Sequence, residues 1–366
     1  MELNIHVQVL GIALIAGAVM GAVANKTNFC TMGAVSDWVN MGDTGRLRAW
    51  LLAIAVATLG VVALEASGKI SLGGGTFPPY RTANLAWLRY VLGGLMFGVG
   101  MTLASGCGNK TLVRIGGGNL KSLVVLAIAS AFAYAMLWTN FYDSVFGRLI
   151  SATTINLAAA GRNSQSLGEL SGLGNAVFGS ILALALAGFA FSSRDFRSNF
   201  DHVLGGVVIG LGVIVGWYVT GGEMGVAWKE WAEFADTKPL RVEVQSFTFI
   251  SPMGDGARYL MNPADTSLLN FGIMALAGVI LGSLVYALAT RSFRVEWFVN
   301  RADFLNHAVG AVLMGIGGVL SMGCTVGQAI TGMSTLALGS LLTLVSIIAG
   351  AAATMKYQYW RMMQEA

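Results

Sequence analysis

Nine long apolar stretches constrain this chain more than any other feature, because they are too long and too uncharged for an ordinary soluble core. They lie near residues 7 to 24, 48 to 66, 85 to 104, 120 to 139, 173 to 192, 203 to 220, 268 to 290, 308 to 323 and 336 to 355. Crossing roughly 30 Å of hydrocarbon takes about 20 residues at about 1.5 Å each, and only helices or closed barrels satisfy their backbone there. Runs of this length predict helices, so the expected fold is an all-α integral membrane protein with about nine transmembrane helices. Composition agrees: 55% of residues are hydrophobic and 11% charged, against about 25% charged in soluble domains. The 49 glycines fit close helix packing and interrupted helices. The first run lacks a basic flank and a cleavage pattern, so it is read as a retained span rather than a signal peptide.

Basic residues of the short loops set the orientation. Lys26, Arg46 and Arg48 follow the first span, and Lys110, Arg114 and Lys121 lie between the third and fourth. Arg194 and Arg197 precede the sixth, Arg291, Arg294 and Arg301 precede the eighth, and Lys356 and Arg361 follow the ninth. Placing all of these in the cytoplasm gives a consistent alternation, with the N-terminus periplasmic and the C-terminus cytoplasmic. The net charge of +4 then reflects topology, and nothing in the sequence suggests a nucleic-acid partner. Two longer segments fall outside. Asn140 to Ser171 reads as loop and surface helix, and Gly221 to Asp265 as an interfacial amphipathic piece followed by an irregular loop.

The three cysteines share one setting. Cys30 follows Gly21 by nine residues, as Cys107 follows Gly98 and Cys324 follows Gly315. Gly98-x-Gly100-x-x-Leu103-x-x-Gly106-Cys107 is matched by Gly315-x-Gly317-x-x-Leu320-x-x-Gly323-Cys324. His202-x-x-Gly205-Gly206-x-x-x-Gly210 likewise matches His307-x-x-Gly310-Ala311-x-x-x-Gly315, which makes the sixth span a fourth copy with Val219 at the cysteine position. On the charge-derived topology, the first two copies run inward and the last two outward. The chain therefore reads as one transporter domain of two inverted halves, about 1–140 and 172–366, joined by an external segment 140–172. Inverted repeats of this kind place substrate at the repeat interface, where interrupted helices point their ends at it.

After each Gly-Cys pair the sequence turns short, small and polar: Gly106-Cys107-Gly108-Asn109-Lys110 and Gly323-Cys324-Thr325-Val326-Gly327. A helix break followed by a short re-entrant helix is expected at each, with free backbone N–H groups that favour an anion. A thiol away from water keeps its proton and offers a weak S–H donor. Such a donor suits a large polarisable sulfur atom better than a hard oxyanion, and weak sites in series also release what they bind. Lys26, four residues before Cys30, and Lys110, three after Cys107, are candidate anion contacts or cytoplasmic anchors. Three cysteines leave at least one thiol unpaired, so a disulfide framework is not expected. Met32, Met322 and Met333 keep a soft metal ion such as Cu(I) open as an alternative cargo. Against it stand the few carboxylates and the cationic neighbours. No base is placed for cysteine nucleophilic catalysis, so no enzyme chemistry and no cofactor are expected. His202 and His307 begin spans and are read as capping or interfacial residues.

Asn28-Phe29-Cys30-Thr31-Met32-Gly33, Gly106-Cys107-Gly108 and Gly323-Cys324-Thr325-Val326-Gly327 together resemble the YeeE/YedE family of bacterial inner-membrane proteins, over nearly the whole chain. The resemblance implies an hourglass of re-entrant helices around a central line of thiols that relays thiosulfate. On these positions it implies substrate contacts at Cys30, Cys107 and Cys324, with Gly106, Gly108, Lys110, Gly323 and Thr325 beside them. It also implies a small TusA-like sulfur carrier protein as cytoplasmic partner. Another sulfur or selenium compound, or a membrane component of a sulfur-relay complex, remain alternatives. Many relatives read Gly-Gly-Cys where this chain reads Ser105-Gly106-Cys107 and Met322-Gly323-Cys324.

Overall fold

A computed structural model describes residues 4–73 and 75–365. In chain order the helices are α1 (Ile5–Lys26), α2 (Thr31–Met41), α3 (Gly45–Ala66), α4 (Trp87–Leu103), α5 (Gly108–Gly116), α6 (Leu120–Trp138), α7 (Arg148–Ala152) and α8 (Leu167–Ser171). Then come α9 (Asn175–Ser192), α10 (Arg194–Ser198), α11 (Phe200–Gly221), α12 (Glu223–Glu233), α13 (Ile250–Met261), α14 (Phe271–Ala289), α15 (Arg301–Leu320) and α16 (Leu338–Glu365). Among the described residues, nine helices are long and apolar enough to cross a membrane: α1, α3, α4, α6, α9, α11, α14, α15 and α16. The protein is an all-α, multi-pass integral membrane protein. Among the described residues, the strands are two-residue pairings, Thr76–Phe77 with Val244–Gln245 and Asn84–Leu85 with Ile155–Asn156, beside two isolated bridges, Asn119 with Glu296 and Ser166 with Ala337.

Local sequence explains where spans begin. Asn119, Asn199, Asn270 and Asn300 each accept a hydrogen bond from the backbone N–H three residues on, capping α6, α11, α14 and α15. The apolar runs fixed eight starts to within about three residues. The exception, α15, begins at Arg301 rather than near 308, because its polar first turns are satisfied: Asp303 pairs with Lys121 at 2.8 Å and with His307 at 3.0 Å. Outward faces remain apolar, as Ile15, Leu184 and Val285 show at 66% exposure each, which fits lipid contact rather than water.

The basic loops meet on one face. Lys26 pairs with Asp201 at 3.4 Å, Lys110 donates to Asn28 Oδ1 at 3.0 Å, and Arg48 donates to Ser192 Oγ at 2.9 Å. On the opposite face the two long segments differ from expectation. The second of them is no irregular interfacial loop: Val244 to Asp255 is buried throughout, α13 packs on α6, and Trp228 of α12 is fully enclosed with its Nε1 donating to His6 Nδ1. The 140–171 segment also reaches inward, where buried Gln165 accepts from the Gly339 N–H at 3.0 Å. Paired hydroxyl, amide and backbone groups make most of this burial possible, as Gln245 Nε2 donates to Arg241 O at 2.7 Å and Ser246 Oγ to Val213 O at 2.8 Å, while the Thr248 hydroxyl stays without a partner. The fourth repeat copy also departs from its pattern. Helix α11 runs through Val219 and ends only at Gly221, so no break falls at the cysteine position.

At the centre, α4 and α15 cross in antiparallel fashion through glycine. A Cβ on Gly93 would come to 2.7 Å of Gly317 O, and one on Gly100 to 2.7 Å of Gly310 O. Gly93 stands five residues before Gly98 as Gly310 stands before Gly315, so these contacts exchange matched positions of the repeated motif. The glycines nine residues ahead of the thiols serve the same end: Gly21 abuts Val279 O, Gly98 abuts Ile347 O, and Gly315 would meet Ala129 O at 2.7 Å. Any side chain there would push two backbones apart.

Candidate functional site

The same backbone device precedes each cysteine. A residue in the left-handed region stands two positions before the thiol: Asn28 at φ 51°, Ser105 at φ 56° and Met322 at φ 64°. The next residue closes the preceding helix with a bond back five positions, Phe29 N to Ala24 O, Gly106 N to Met101 O and Gly323 N to Gly318 O. Each cysteine then starts a new helical stretch by accepting through its carbonyl from the residue four on: Ala34, Thr111 and Gln328. So α2, α5 and the short π-helical stretch Val326–Gly332 all begin at a thiol. Cys30 Sγ accepts from Gly33 N–H and Cys324 Sγ from Gly327 N–H, both at 3.5 Å. Cys107 holds the same position at α5 without a side-chain cap bond.

Serine and methionine lack glycine's freedom at positive φ, at a cost of about 1–2 kcal/mol each. Ser105→Gly, which keeps the carbonyl that accepts from Arg114 Nη1 at 2.7 Å, is therefore expected to stabilise the protein by about 1 kcal/mol net of chain entropy. Thermal melting of the purified variant in detergent checks this, and a lower melting temperature would refute it.

These three breaks converge. The thiols are 2%, 0% and 0% exposed for Cys30, Cys107 and Cys324. The thiols of Cys30 and Cys107 lie side by side. On the other side, a Cβ on Gly108 would lie 3.8 Å from Cys324 Cβ, so Cys107 occupies the middle of the line. Thr325 lies beside the Cys107 thiol, while the N–H groups of Val326 and Phe249 and the side chain of Thr248 surround Cys324. Basic side chains gather at the Cys30 end, where Lys110, Arg114 and Arg46 are near enough to act on its thiol electrostatically. Arg46 is itself held by the Asp37 carboxylate.

Of the sequence-predicted residues, the structure brings Cys30, Cys107, Cys324, Gly108 and Thr325 into one buried line. Gly106 and Gly323 are its backbone pivots. Lys110 sits at the rim with its ammonium on Asn28, and Lys26 is paired with Asp201. His307 contacts Asp303, whereas His202 stacks on Phe196 at 6.2 Å and lines, with Arg46 and Asp201, a pocket that reaches Cys30. Thr248, Phe249 and Met253 were not foreseen. Their only sequence signal is the run Ser246-Phe247-Thr248-Phe249-Ile250-Ser251-Pro252, too short for a span yet too apolar for an exposed loop.

A model of the family described as sulphur transport matches residues 26–353. The chain belongs to this family. It is similar to the thiosulfate transporter TsuA of Escherichia coli (strain K12), with 26% identity over 364 residues, 92% of this chain and 91% of that one. The thiosulfate transporter TsuA of Spirochaeta thermophila is 25% identical over 356 residues, covering 92% of this chain and 95% of its own. The matched residues 26–353 include all three cysteines.

Proposed function

We propose that this protein takes up thiosulfate, or a closely related sulfur-containing anion, across the bacterial inner membrane, and that Cys324, Cys107 and Cys30 relay it through S–H contacts to its terminal sulfur. The observation that carries the reading is the single buried line of three thiols, each at the start of a helical stretch. A protonated thiol donates weakly, so three in series pass an anion on without trapping it. The cationic rim at Cys30 has the sign that draws an anion inward and repels Cu(I), which favours the sulfur anion over a soft metal. The reading includes entry near Cys324 from the periplasm and exit at the basic face, with the C-terminus cytoplasmic. A TusA-like carrier at that face is the acceptor the family resemblance implies. The two inverted halves, supported by the reciprocal glycine contacts of α4 and α15, would supply equivalent helix breaks from opposite sides.

Growth on thiosulfate as sole sulfur source, in a bacterium lacking its own uptake systems, tests the reading. Rescue by this chain is the expected result; no rescue at normal membrane expression would sink it.

Gly108 offers a sharper test. A methyl there would meet Met253 Cε at 3.5 Å and Cys324 Cβ and Ile250 Cδ1 at 3.8 Å, all ordinary contacts. Gly108→Ala should therefore keep or raise stability, by up to about 1 kcal/mol from helix propensity. Uptake should nevertheless fall severalfold, because the methyl fills space between two thiols. Unchanged uptake would show that the substrate does not pass Gly108.

A further inference from the structure

Buried polar atoms without partners are uncommon in a folded protein, and each calls for an explanation. Six such side-chain atoms occur among the described residues, on Thr31, Trp50, Thr58, Asn109, Thr248 and Thr325. Five of these residues surround the thiol line. Thr31, Asn109 and Thr325 stand within two positions of a cysteine. Thr248 lies beside the Cys324 thiol, and the Trp50 ring stacks on Phe29 at 4.6 Å, next to Cys30. Thr58 alone stands apart, against Gly179.

The arrangement between Cys107 and Cys324 is the most complete. Thr325 is 0% exposed and beside the Cys107 thiol; Thr248 is 3% exposed and beside the Cys324 thiol. Neither hydroxyl has a partner of hydrogen-bonding geometry. Gly108 leaves the interval between the two thiols without a side chain. Soft S–H groups and hard, unsatisfied O–H groups therefore lie at both ends of the interval that Gly108 leaves without a side chain.

Resting on the thiosulfate-type reading above, we propose that Thr248 and Thr325 are the oxygen-binding, specificity-determining residues of this station. Their hydroxyls hold the oxygen end of the anion while the thiols meet its sulfur end. The class of substrate so selected carries one exposed sulfur and one cluster of oxyanion oxygens. Sulfate lacks the first and hydrosulfide the second. The hydroxyls are unpartnered because their partner arrives with the anion, and in the empty protein they are a burden on folding.

That burden supplies a test that a structural threonine would fail. In the purified full-length protein, Thr248→Val and Thr325→Val are expected to melt at the same temperature as the wild type or higher. The melting shift caused by added thiosulfate should disappear, and the thiosulfate KM for uptake into proteoliposomes should rise about tenfold or more, the worth of one lost hydrogen bond to a charged group. Thr248→Ser, which keeps the hydroxyl, should restore both, and Thr58→Val should change neither. Retention of the thiosulfate-induced shift and of the KM in both valine variants would overturn the inference, as would a large fall in the melting temperature of the empty variants. A wild type that shows no thiosulfate shift and no uptake would overturn the underlying reading, and the assignment of the two threonines with it.

Discussion

Replacing Cys107 by alanine is expected to reduce thiosulfate uptake by about tenfold or more while leaving a folded protein in the membrane. Two parts of the argument are separable. The fold tolerates the change, because sulfur is lost from one small side chain and α5 keeps its first backbone bond, Thr111 N to Cys107 O at 2.9 Å; truncations this small cost on the order of 1 kcal/mol. Transport does not tolerate it, because Cys107 is the one thiol that neighbours both others. Removing it opens a gap between Cys30 and the Gly108–Cys324 station, and a dehydrated anion crossing that gap loses a donor worth about 1.5 kcal/mol or more. Stations in series also predict non-additivity. Cys30→Ala with Cys107→Ala should transport no worse than the poorer single variant. Cys107→Ser separates softness from hydrogen bonding, since it keeps a donor but a harder one. Uptake of radiolabelled thiosulfate at equal membrane abundance reads all three, and a Cys107→Ala variant within twofold of the wild type would return this cysteine to packing.

What the sequence disclosed followed from physics that acts locally. A run such as 120 to 139 must be helical in lipid whatever surrounds it, so the spans were legible to a few residues. The helix breaks were legible because Gly106-Cys107-Gly108 and Gly323-Cys324-Thr325 interrupt apolar runs with small polar residues. Convergence of the thiols depends on helix crossings, and here too the sequence spoke, through glycines at a fixed distance from each cysteine. It was silent where burial depends on distant partners. Val244 to Asp255 reads as part of an irregular external loop because Gln245, Ser246 and Asp255 are counted as solvated. In the fold Gln245 Nε2 donates to Arg241 O at 2.7 Å and Ser246 Oγ donates to Val213 O at 2.8 Å, so these two side chains are satisfied inside. The fourth copy misled for the converse reason: its glycine spacing is intact, but Val219-Thr220-Gly221 carries no left-handed residue before a cap, and α11 continues.

The same buried segment yields the largest expected stability change. Asp255 is fully enclosed, and its carboxylate accepts from Arg241 Nε at 2.5 Å and Nη2 at 2.9 Å, from Trp138 Nε1 at 3.1 Å and from Asn270 Nδ2 at 3.2 Å. Arg241 is in turn enclosed by rings, lying 3.9 Å from the Phe77 ring centre and 5.5 Å from that of Trp138. The pair fastens the connector before α13 to the helix itself, and thereby the Thr248-Phe249 stretch to Cys324. Asp255→Ala strands the guanidinium among apolar groups, so a loss of about 3–5 kcal/mol is expected. Asp255→Asn keeps the shape but not the charge and should lose nearly as much. The double variant Asp255→Leu with Arg241→Met removes both charges and should recover most of the loss, since a buried pair replaced by apolar side chains is often neutral. Melting temperature in detergent, followed by tryptophan fluorescence, gives the cycle. If the double variant is as unstable as Asp255→Ala, then the four hydrogen bonds rather than charge balance hold this corner together. If Asp255→Ala costs less than about 1 kcal/mol, the segment over Cys324 is held by its aromatic packing instead, chiefly Phe247 against Phe271 at 5.4 Å.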